Sequence, residues 1–160
     1  MSLSPFIVTR LRHQHEILAD LTRGLTEEQL QQHPIPGKWS PFQQIAHLTA
    51  YQPVFISRLD RMLAEDDPAF DRYVAENDPQ FSACLQLPLT QLLQDTCTNG
   101  AIIADRMAGL DDAALLRKGR HPRYGLLVTA DWAEFYLLHE AHHLFSIFMM
   151  VQDLRAGSDR

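Results

Sequence analysis

Apolar residues along the chain recur at three- and four-residue steps, and no segment sustains the period-two alternation of a half-buried strand. This pattern predicts a first helix from about Pro5 to Arg23, with Ile7, Leu11, Leu18 and Leu21 on its apolar side and Gly24 as its stop. Thr26 and Gln29 read as a capping box for one short turn, which the His33-Pro34-Ile35-Pro36-Gly37 run ends. Ser40 then supplies an N-cap, Pro41 the first helical position and Gln43 a second capping box for a long helix reaching about Ala64. Pro53 inside that helix lacks an amide hydrogen and is expected to kink it. Glu65 to Pro79 is acidic, contains two prolines and reads as a loop with room for one helical turn.

A third helix is expected from about Leu85 to Ala108, stopped by Gly109; Gly100 inside it costs about 1 kcal/mol relative to alanine. Asp111 caps a short helix to about Arg117, and Gly119 to Gly125 reads as a basic loop. Thr129, with Asp131 in the favourable first turn, opens a last helix that should run to Ala156, before Gly157. Four long helices of this kind imply an all-α fold: a four-helix bundle with short extra helical turns in its connections. The 160 residues suit one domain spanning 1–160.

Charge and composition narrow the function. Twenty acidic residues against 14 basic give a formal net charge of −6, which opposes sequence-independent binding to nucleic acid. Cys84 and Cys97 are too few and too isolated for a disulfide framework or a zinc–cysteine module. Arg10 and Arg12 interrupt the N-terminal stretch before a signal-like apolar run can form, and no stretch approaches the ~20 apolar residues of a membrane span. A cytoplasmic protein without membrane contact is the expectation.

The eight histidines are the compositional oddity. His139 and His143 are four apart, one turn above each other on a stripe with Trp132, Tyr136, Ile147 and Met150 that should face inward. An imidazole pair at this spacing can bind one metal ion. On the second helix His47 shares an inward stripe with Gln43, Tyr51, Val54 and Phe55. A lone inward histidine is usually a satisfied core residue, but two buried rings on one apolar stripe need a partner that repays their desolvation. His142 suits a bundle edge or subunit interface better than a place as fourth ligand or as a partner of one, and Glu140 is expected to face solvent. His13 and His15 carry no spacing signal, and His33 and His121 are expected to be exposed in proline-containing loops.

The run Gly37-Lys38-Trp39-Ser40-Pro41-Phe42-Gln43-Gln44-Ile45-Ala46-His47-Leu48 resembles the entry to the second helix of the DinB-like (DinB/YfiT) four-helix bundle family. His139-Glu140-Ala141-His142-His143-Leu144 resembles that family's last-helix signature, and His121-Pro122-Arg123-Tyr124-Gly125 its preceding loop. The resemblance covers about Pro5 to Leu154. It implies one divalent transition metal, nickel or zinc, held by His47, His139 and His143 with open positions for water or substrate. It also implies transfer or isomerisation chemistry with low-molecular-weight thiols in some members, hydrolysis in others, and frequent homodimers.

On this basis the expected function is a metal-dependent thiol S-transferase acting on small electrophiles. A hydrolase at the same three histidines, or a non-catalytic metal- or small-molecule-binding dimer, is the alternative. Gln43, Tyr51, Tyr136 and Ser146 are candidate polar neighbours of the site. Leu138, Phe145 and Met149 are candidates for a dimer contact.

Overall fold

The structure, a computed structural model, describes residues 3–158. Its helices are α1 (Pro5–His13), α2 (Ile17–Thr22), α3 (Glu27–Leu30), α4 (Pro41–Ala64), α5 (Pro79–Cys84), α6 (Leu89–Ala108), α7 (Asp112–Leu115) and α8 (Thr129–Ser158). An antiparallel hairpin, β1 (Lys118–His121) and β2 (Gly125–Val128), precedes α8. The architecture is the expected all-α bundle: α4 packs on α6 and α8, and α1 packs on the same two helices. Leu11, Phe55, Ile103, Trp132 and Leu137 belong to one core cluster; Leu18, Ile45, Leu92, Ile147 and Val151 belong to a second.

Local chemistry sets the helix starts. Thr26 and Ser40 both form full capping boxes, with Gln29 and Gln43 returning a side-chain oxygen to the cap amide at 2.8 and 2.9 Å. Pro41 at the first turn gives up no hydrogen bond that the helix needs, and Pro53 is carried inside α4 with its ring exposed.

Four departures from expectation have physical causes. The first helix is divided by a 3-10 turn over Gln14–Glu16, and that turn drops His15 into the core. The third helix begins at Leu89 because Pro88 takes the N-cap position; Pro79–Cys84 forms its own short helix, capped by Asp78. The basic loop is the hairpin. Its inward position on β1 is Gly119, where a Cβ would lie 2.6 Å from Phe70 Cε2, so the strand pairs without any apolar alternation. Helix α8 continues through Gly157 to Ser158 instead of stopping at Ala156.

No helix among the described residues is long and apolar enough to cross a membrane. Leu138, Phe145 and Met149 stand exposed on α8.

Candidate metal centre

Helices α4 and α8 bring His47, His139 and His143 together. His139 Nε2 lies 3.2 Å from both His47 Nε2 and His143 Nε2, and one nitrogen from each ring falls within 4.8 Å of the others. His143 Nδ1 donates to Gln44 Oε1 on α4, which fixes the tautomer and turns the Nε2 lone pair toward the other two rings. His47 Nδ1 and His139 Nδ1 are buried with no hydrogen-bond partner among the described residues. Three lone-pair nitrogens cannot all satisfy one another, so the convergence fits a cation better than an imidazole cluster held by hydrogen bonds alone.

Aromatic rings enclose the three imidazoles. Trp39, delivered by the segment ahead of Ser40, lies 5.0 Å from His47 and 6.5 Å from His143 between ring centroids. Tyr51 lies 4.5 Å from His139, and Tyr73, from the loop after α4, lies 5.7 Å from His47. Burial in this shell disfavours the charged rings, and each ring also repels its neighbour's charge. Together these hold His47, His139 and His143 down to about 3. All three are therefore neutral near pH 7, the protonation state that ligation requires.

In an unfolded chain these rings titrate near 6.5. Between pH 6.5 and about 3 the unfolded state therefore binds more protons than the fold, and stability is lost as pH falls through that window. The melting temperature of chelator-treated protein should be level above neutrality and should fall as pH drops below 6.5. The fall should be shallower in a His47→Gln/His143→Gln variant. Parallel acid profiles for the two proteins would show that the rings are not held neutral by the fold.

Of the candidate polar neighbours Tyr51 lies against His139, and the other three do not reach the imidazoles as expected. Gln43 is occupied by the Ser40 cap, and it is Gln44, three residues before His47, that reaches His143. Ser146 donates to the His142 carbonyl, so its hydroxyl is satisfied within the helix. Tyr136 is buried with its hydroxyl between Gln52 and Glu140, not at the imidazoles. Glu140 does not face solvent: it is 1% exposed, accepts from Gln14 at 2.9 Å, and stands 3.7 Å from His15. His121 is half-buried, packed on Trp132 and Phe135 at 5.4 and 4.9 Å, because the hairpin folds it onto α8.

A cavity of about 610 Å³ opens beside the centre, with His47, His139 and Tyr51 in its wall. Arg58, Tyr73 and His121 also line it. Arg58 lies on α4 about 20° round the helix from His47, so its spacing already puts it on that face; Tyr73 carries no spacing signal, and only the loop after α4 brings it there.

The family model of the DinB superfamily matches residues 10–147, a span that includes all three histidines. No curated protein matches the sequence. Among solved structures, the chain is similar to YfiT from Bacillus subtilis, described as a probable metal-dependent hydrolase with an unusual four-helix bundle topology. The two share 20% identity with a TM-score of 0.79, over 98% of this chain and 91% of that one. At that identity the likeness shows the fold, and the family-model match shows the relationship: the chain belongs to the DinB superfamily.

Proposed function

We propose that the protein is a metal-dependent enzyme that joins a low-molecular-weight thiol to a small electrophile. His47, His139 and His143 are its ligands for one divalent transition metal, nickel or zinc. The observation that carries this reading is the convergence of three neutral imidazole nitrogens beside an aromatic-walled cavity large enough for a small molecule. When bound, such an ion supplies a Lewis-acidic centre that lowers the pKa of a thiol or water at an open position. The chain's own residues prepare that position. Gln44 orients His143, while Trp39, Tyr51 and Tyr73 exclude bulk water from the rings. No carboxylate among the described residues joins the three-histidine group, which suits thiol transfer, where no general base is needed to take a proton from an attacking water.

Hydrolysis at the same centre is the second reading. It is favoured by Asp71 and Glu76, which line the same cavity and offer carboxylates as general bases. Turnover of a chromogenic electrophile separates the two. Thiol transfer predicts a rate that rises with added thiol and disappears on chelation. A metal-dependent rate indifferent to thiol would make the protein a hydrolase, and no turnover under either condition would make it a binding module.

A further inference from the structure

Arg58 is 8% exposed and lines the cavity beside the histidines. Its side chain reaches back along α4 toward the helix N-terminus, where its Nη1 donates to the Tyr51 hydroxyl at 3.3 Å. Its Nη2 donates to the Asp71 carbonyl at 2.9 Å. The remaining guanidinium donors have no partner among the described residues, and no described carboxylate forms an ion pair with Arg58. Tyr51, Phe70 and Trp132 flank the charge at 5.4–5.9 Å from the ring centroids; their faces stabilise it but take only part of what a carboxylate would. A buried cation in this condition is costly unless an anion completes it.

A second donor shares the same indole. The His121 ring centroid lies 5.4 Å from that of Trp132, and the Arg58 guanidinium carbon 5.7 Å. His121 Nδ1 accepts the backbone amides of Arg123 and Tyr124 at 3.1 and 3.2 Å, so the neutral ring carries its proton on Nε2. That N–H has no partner among the described residues, and the ring lines the cavity. Burial first, and then the charge of Arg58, keep this imidazole less basic than a free one, so it stays a neutral donor at pH 7. Arg72 and Arg123 also line the cavity, against Asp71 and Glu76, so its wall leans positive in a chain of formal charge −6.

We propose that this cavity binds a small molecule with an apolar body and a carboxylate, the carboxylate being read by Arg58 with His121 Nε2–H beside it. The planar guanidinium matches a carboxylate edge, and the aromatic wall between Arg58 and His139 takes the body. This orientation points the molecule's other end at the three imidazoles. The proposal names the substrate class for the thiol-transfer reading and rests on it only for the reaction, since the anion site needs no metal.

The test is calorimetric titration of 3-phenylpropionate and its neutral amide into the full chain, as purified and again after chelation, so that an ion cannot be the carboxylate's partner. The acid should bind at least about tenfold tighter than the amide in both preparations. Arg58→Gln should erase that preference and Arg58→Lys should keep part of it, with circular dichroism melts confirming the fold and Arg58→Lys deciding if Arg58→Gln does not fold. Equal binding of acid and amide overturns the proposal. So does failure of the acid to bind at millimolar concentration, or a preference that survives in Arg58→Gln. Metal content measured on the same samples keeps the two ideas apart: a wild type that takes up no metal on reconstitution with nickel and zinc yet still prefers the acid would sink the metal reading and leave the anion site standing.

Discussion

His143→Ala should yield a folded protein that has lost its transition metal, while wild type purified without chelator carries about one equivalent. The substitution removes one of three convergent Nε2 atoms, and it frees Gln44, whose Oε1 is the acceptor that orients the ring. Losing an outer partner of a metal ligand costs ~10–100-fold in affinity, so losing a ligand should cost at least ~100-fold. Gln44→Ala should fall between: metal retained under saturating supply, lost faster to a competing chelator. The fold should survive because His143 is half-buried at the edge of the aromatic shell and belongs to neither core cluster. Elemental analysis of the three proteins, handled identically, reads the result. Equal metal in wild type and His143→Ala would remove His143 from the ligand set. Absence of metal from wild type after reconstitution with nickel and zinc would remove the centre altogether.

The parts of this centre that were legible in the sequence are those written in local spacing. His139 and His143 are four apart on one helix, and the two capping boxes mark helix starts through residues three apart. What escaped is written across elements. Gln43 and Gln44 both lie one turn before His47, and only the cap at Ser40 decides which of them is free. Glu140, one residue from a histidine facing α4, turns into the opposite side of the bundle; there the packing of α1 and its 3-10 turn supplies Gln14 and His15. A helical wheel of α8 alone shows Glu140 leaving one face without showing that another helix covers the second. The hairpin hid for a different reason: its one buried β1 position is a glycine, which carries no hydropathy. Arg58 reads as an ordinary charged residue until the loop from Phe70 to Tyr73 folds over it.

That dependence on contacts between elements makes Gly100→Ala a sharp test of the packing. Helix propensity alone predicts that alanine in the middle of α6 stabilises the protein by about 1 kcal/mol. The structure predicts the opposite sign. A Cβ at Gly100 would lie 1.9 Å from His15 Cε1 and 2.6 Å from its Nε2, inside any permitted contact. The ring has nowhere to withdraw, being 1% exposed and wedged between α6 and Glu140 on α8. Overpacking of this kind costs about 1–3 kcal/mol or more, which exceeds the propensity gain. The net effect should be a loss of about 1–2 kcal/mol, a fall of ~2–8 °C in melting temperature for a chain of this size. The glycine is thus the hole that lets a bulky polar ring enter the bundle. His15→Ala removes that ring and leaves Glu140 without its imidazole neighbour, so it should destabilise on its own. In the double variant the new methyl at position 100 enters the space the ring has left. Its cost should therefore be less than the sum of the two single costs. Thermal melts of the four proteins measure that coupling; a Gly100→Ala protein as stable as wild type, or a strictly additive double variant, would mean that His15 does not occupy the glycine's hole.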